Sequence, residues 1–213
     1  MDNMDKALII YTASPGGRGQ DGGTGAPGSP GTDGYVKKDW KGKEYPATNG
    51  GEGGKGVPGS NGGRGADAAD ATIYAAQLDG IIAITTMGGT GGDGGMGGPG
   101  GSGGKGGDKD GTTLKAGDGG KGGDGGDGGN GGDGGAGPSL TIYTPVNSQK
   151  NFVIVANPAS GGSGGTGGSG GMGGSGGQDD GQPGANGNPG KTGEPGNPGT
   201  QGDFHFQWPP PTS

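Results

Sequence analysis

Chemistry needs particular side chains held close together, and this chain offers few. His205 is its single histidine, set between Phe204 and Phe206. With no Cys anywhere and no second His, His205 is expected to face solvent or a packed neighbour rather than a metal. No nucleophile–base pair can be drawn without it, carboxylates apart, so no catalytic, cofactor-binding or metal-binding residue is assigned. Asp118, Asp124, Asp127 and Asp133 form an acidic row. On a threefold extended chain, residues three apart are about 9 Å from one another, whereas calcium holds its oxygens at about 2.3–2.6 Å. One such row cannot chelate, and a solvated charged face is the expectation.

The run Gly190-Lys191-Thr192 has the ending of a phosphate-binding loop. Ala185 stands where that motif needs glycine, and neither a strand nor an apolar helix flanks the run in the required way. The match is attributed to chance. The segment YVKKDWKGKEYP differs, because it gathers Tyr35, Trp40 and Tyr45 with Lys37, Lys38, Lys41 and Lys43 in a chain poor in both classes. Aromatic rings beside cations characterise contact surfaces, so these seven residues are the candidate surface-binding site. The competing reading is a loop whose rings cover exposed backbone.

The elements that must position these residues are unusual. Glycine supplies 69 of 213 residues and proline 16, while only 23% are apolar, so a conventional core for this length is not available. Glycine also keeps phase. It recurs every third residue, as GXY or GGX triplets, over about 16–34, 50–65, 88–107, 117–137, 161–177 and 181–202. Each run would span roughly 50–60 Å at the rise of a threefold extended helix. Such a helix makes no internal hydrogen bonds. Its every-third-glycine edge carries no Cβ, so other backbones can approach closely and pair with it. Unstructured low-complexity chain gives no reason for six matched runs, and collagen is expected to have longer unbroken G-X-Y.

Between the runs lie two kinds of segment. Residues 35–49, 108–116 and 178–180 are polar. Residues 6–13, 71–87, 139–156 and 203–208 are rich in β-branched and aromatic residues, and Leu8, Ile10, Ile73, Ile82, Ile84, Ile142, Val153, Val155 and Phe204 suit a small β cap. Asp79-Gly80 between two such stretches signals a hairpin, and the Asn147–Asn151 region is expected to turn a second one. A strand–run–loop–run–strand repeat fits three copies, roughly 5–72, 80–142 and 151–208.

The expected fold is therefore mostly non-α/β regular structure, a single elongated domain over 1–213. It is an antiparallel bundle of six polyglycine-II/PPII rods with short β-strands and hairpins clustered at one end. That end would be a base holding both termini, and the polar loops would form a tip. The pattern resembles the glycine-rich adhesins at the tail-fibre tips of T-even-like bacteriophages and, less closely, springtail antifreeze proteins. The resemblance rests on composition and period over the six runs, and no residue role transfers. It implies an extracellular or virion location, which no leader in the sequence marks.

A net charge of -7 argues against general nucleic-acid binding, and no stretch approaches the ~20 apolar residues of a membrane span. The expected function is non-catalytic: a rigid stalk docking by its strand-rich end to sister subunits or a larger fibre, and touching a cell-surface glycan or protein through its loops. A filament or matrix subunit joined by strand pairing is the alternative. Ice binding comes third, on the uncharged row Ser163, Thr166, Ser169, Met172 and Ser175.

Overall fold

The computed structural model describes residues 6–12, 35–36, 44–76, 78, 80–110 and 114–209. The first glycine run, 16–34, lies outside them, as does Asp79. The strands are β1 (Lys6–Thr12), β2 (Tyr35–Val36), β3 (Glu44–Tyr45), β4 (Ala71–Tyr74), β5 (Ile81–Met87), β6 (Leu140–Tyr143), β7 (Phe152–Asn157) and β8 (Phe204–Gln207), with a short 3-10 helix at Val146–Asn151.

Two three-stranded sheets form, in the orders β1-β5-β7 and β4-β6-β8, and every pair within them is parallel. Register keeps apolar positions on one face: Ile82 opposes Phe152 and Ile84 opposes Ile154, while Ile73 opposes Ile142 and Ile142 opposes Phe206. The two faces meet around buried Ile84, Leu140 and Ile142, with Ile73, Ile82, Phe152, Ile154 and Phe206 packed against them. Val153, Val155 and Phe204 are exposed, so only part of the expected apolar cap is core.

The glycine runs continue these sheets. Amides of the second run donate to the fourth with rising numbers on both sides, Gly50 to Asp118, Gly53 to Lys121 and Gly56 to Asp124, each at 2.8 Å. The fourth run binds the sixth in the same sense (Gly119 to Gln182, Gly122 to Ala185), and the third binds the fifth (Gly94 to Ser163, Gly97 to Thr166). Runs two, four and six thus make one parallel layer, extending β4, β6 and β8. Runs three and five belong to the other, extending β5 and β7. Across the layers the numbers oppose: Gly92 donates to Gly63, Gly123 to Gly101, Gly165 to Gly129 and Gly187 to Gly171.

Each residue of a GGX triplet in the fourth run has a separate task. Gly119 donates within its layer, Gly120 donates across the layers to Gly104, and the residue between one such pair and the next turns its side chain outward. A Cβ on Gly119 would meet the Gly174 carbonyl of the fifth run, and one on Gly120 the Gly51 carbonyl of the second. Both glycines are required by close backbone approach, because buried N–H and C=O groups must pair.

The expectation of an antiparallel six-rod bundle with hairpins at one end is corrected by this topology. Neighbours within each layer are parallel, five glycine runs are described, and neither expected hairpin forms. β4 and β5 lie in different sheets, as do β6 and β7, so the connection after β4 and the one through Val146–Asn151 pass from one sheet to the other. An Asp-Gly pair between strand-formers satisfies the local chemistry of a hairpin. Here each described glycine run aligns in parallel with the next run but one, which sets each repeat beside its neighbour. The best partner of a strand is therefore its equivalent there, and the sandwich buries both inner faces.

Candidate functional site

The two ends of the layers differ. β4, β6 and β8 follow the second, fourth and sixth runs, and β5 and β7 precede the third and fifth. At the opposite end Gly107 donates to the Thr48 carbonyl, Gly117 to Gly107 and Gly177 to Gly117, so the loops converge there. Lys109 Nζ lies 3.5 Å from Asp179 and 3.9 Å from Asp180. The Ala116 amide donates to Asp180 Oδ1 at 2.9 Å, and Leu114 is buried. Asp179 adopts a left-handed φ of 71°, which turns the chain from the fifth run into the sixth.

Of the seven candidate contact residues, Tyr35 and Tyr45 are brought together. The antiparallel pair β2–β3 sets Tyr35 opposite Tyr45 and Val36 opposite Glu44. Lys37, Lys38, Trp40, Lys41 and Lys43 lie outside the described residues, on the connection that this pair closes. Tyr45 is half-buried and leads within five residues to Gly50, where the second run begins, at the loop end.

The acidic row has a structural task that the sequence reading missed. Asp118 Oδ1 accepts the Gln182 amide, Asp124 that of Asn188, Asp127 that of Lys191 and Asp133 that of Asn197, at 2.7–2.9 Å. The same device links the second run to the fourth through Asn49, Asn61 and Asp67, and the third to the fifth through Asp93 and Asp108. An outward Asp or Asn on one run thus caps the outward N–H on the next run of its layer, a charge-assisted bond where the acceptor is ionised. The signal was available as Asp and Asn falling at outward positions 69–70 or 64 residues ahead of the amide they cap.

Three of these carboxyls are held below the usual carboxylate range. For Asp124 the Asn188 amide is the leading cause, assisted by Lys121. For Asp67 it is the Arg64 guanidinium, at 2.6 Å, followed by the Ala136 amide. For Asp108 it is Lys105, followed by the Gln178 amide. Among the described residues no group of three or more His, Cys, Asp or Glu could hold a metal ion.

His205 is exposed on β8, in register with Thr141. In the loop-like Gly190-Lys191-Thr192 stretch, the Gly190 amide is spent on the Gly168 carbonyl and that of Lys191 on Asp127, leaving no cradle for phosphate. Ser163, Thr166, Ser169, Met172 and Ser175 are all exposed along the fifth run. At the strand end an open hollow of about 650 Å³ is lined by Ala76, Leu78, Pro145, Asn147, Ser148, Lys150 and Asn151. No described helix is long and apolar enough to cross a membrane.

No protein-family model matches the chain, and no curated protein matches it. Among solved structures it is similar to the nine-helix polyproline type II bundle antifreeze protein of the springtail Granisotoma rainieri, at 25% identity over 92% of this chain and 96% of that one. The TM-score is 0.14, too low for the likeness to carry fold or function. The expected likeness to tail-fibre adhesins has no counterpart in these comparisons, and the resemblance that stands is the weak one to a springtail antifreeze structure.

Proposed function

We propose that this chain is a non-catalytic structural and adhesion protein of the extracellular space or a virion surface. It would dock through its strand-rich end and contact a cell-surface glycan or protein through its loop end. The observation supporting this reading is the β2–β3 pair. It pairs the two ends of the aromatic and lysine-rich segment, Tyr35 with Tyr45, and Tyr45 lies five residues before Gly50 on a support whose backbones are cross-linked along their length. A rigid support lowers the ordering cost of surface recognition. Replacing residues 35–45 by a neutral Gly-Ser linker should abolish attachment to cells while leaving the unfolding midpoint unchanged. Full attachment by the replaced protein would overturn the assignment.

A second reading rests on the fifth run, whose outward residues from Ser160 to Ser175 are all exposed and uncharged. Regularly spaced hydroxyls and methyls, roughly 9 Å apart along the run, suit a flat ordered surface such as ice. Thermal hysteresis of the purified protein measures it directly, and its absence removes this reading.

A further inference from the structure

Each described glycine run contacts the described runs one and two places away, so the array has a position reserved for a run beyond the sixth. That position would sit beside the fifth run and over the sixth. The pairing rule shows what it would use. In the third run, Gly91, Gly94, Gly97, Gly100 and Gly103 donate to outward-residue carbonyls of the fifth. The equivalent donors on the fifth run are Gly161, Gly164, Gly167, Gly170, Gly173 and Gly176. Among the described residues, none of the six meets a backbone carbonyl. Opposite them, the sixth-run glycine carbonyls from Gly184 to Gly196 accept no backbone bond, whereas their equivalents on the fourth run, such as Gly126 and Gly129, accept from Gly168 and Gly165.

This edge matches a chain with glycine at every third position, and the glycine runs of a second copy have that pattern. Growth through it would be head-to-tail and open-ended. The sixth run, however, differs from the fourth at one place in each triplet. Gly184 is equivalent to Gly120, since each donates across to the preceding run (Gly174 and Gly104), which makes Pro183 equivalent to Gly119. Gly119, Gly122, Gly125 and Gly128 lack room for a Cβ because the fifth run lies against them. At the matching positions the sixth run carries Pro183, Asn186, Pro189, Thr192, Pro195 and Pro198. Their side chains point where the next run would lie. Asn186 demonstrates the direction, because its Oδ1 accepts the Gly173 amide at 2.9 Å, standing in for the carbonyl of the missing run. The prolines also remove the donors a further run of the same layer would need.

We infer that these six residues are a plug that closes the continuation of the pairing rule past the sixth run, and so prevent a second copy from adding its glycine runs there. The plug weighs against a filament built by laying a glycine run of one copy beside the fifth run of another. Sheet edges in natural proteins are blunted by proline and bulk for the same reason.

The test opens the edge. With all six residues replaced by glycine, the amides of Gly164, Gly167 and Gly170 should exchange more slowly as protein concentration rises, and sedimentation should show association. The natural chain should show neither change at those amides. Concentration-dependent protection there in the natural chain, or none in a folded variant, would overturn the inference. Should the sixfold variant fail to fold, Asn186→Ala decides alone. The Gly173 amide should then exchange roughly two- to tenfold faster, with Gly174, bonded to Gly120, unchanged. Unaltered exchange at Gly173 would refute the stand-in role.

Discussion

Replacing Gly128 by alanine perturbs the close approach of backbones at one atom. Gly128 lies in the fourth run, and a Cβ there would penetrate the Gly165 carbonyl of the fifth. That neighbour is backbone and cannot swing aside, so the two runs must part locally. The bonds that hold them at this level are Gly162 to Gly132, Gly165 to Gly129 and Gly168 to Gly126, each 2.8 Å. A net contribution of about 1 kcal/mol per backbone bond puts the loss of all three at about 3 kcal/mol. Alanine's lower unfolded-state entropy returns well under that. The control is Ser169→Ala, which changes an exposed outward residue of the fifth run and should shift stability by no more than about 0.5 kcal/mol. Urea unfolding followed by circular dichroism gives both values. If Gly128→Ala unfolds within about 0.5 kcal/mol of the natural chain, close backbone contact is not what holds the runs.

Ile142, fully buried in the sandwich, should cost about 2–5 kcal/mol on truncation to alanine, measured in the same assay. Asp67, Asp108 and Asp124 have folded-state pKa values below the ordinary one, so their stabilisation is complete above the unfolded carboxylate range and is lost as pH falls through the folded values. Stability should be flat near neutral pH and decline below about pH 4. Asp124→Asn should reduce that decline, since Asn61 and Asn130 already cap amides in the same way. The 35–45 replacement should remove attachment without moving the unfolding midpoint.

Much of this organisation was legible because glycine's phase is a one-dimensional signal. The spacing of Gly88 to Gly107 or Gly117 to Gly137 states the threefold period outright, and polar connections alternate with β-branched ones. Pairing was less legible. Asp79-Gly80 reads locally as a hairpin, yet β5 pairs with β1 and β7, strands far from it in sequence. Non-local register of this kind is decided by the alignment of whole runs, which no short window contains. The acidic row was misread for a similar reason. Asp124 looks solvated along its own run, and its partner, the Asn188 amide, comes from a run that sequence alone does not place beside it. The candidate contact residues were legible as a composition. Their geometry reduces here to the Tyr35–Tyr45 pair.

Amide exchange at Gly94 and Gly128 tests the central claim most directly, because these amides donate to Ser163 and Lys191 at 2.8 Å in the middle of the layers. Both should be strongly protected, and Gly164 and Gly167, whose amides meet no backbone carbonyl among the described residues, should exchange far faster. Exchange at Gly94 and Gly128 as fast as in an unstructured peptide of the same sequence would contradict the account.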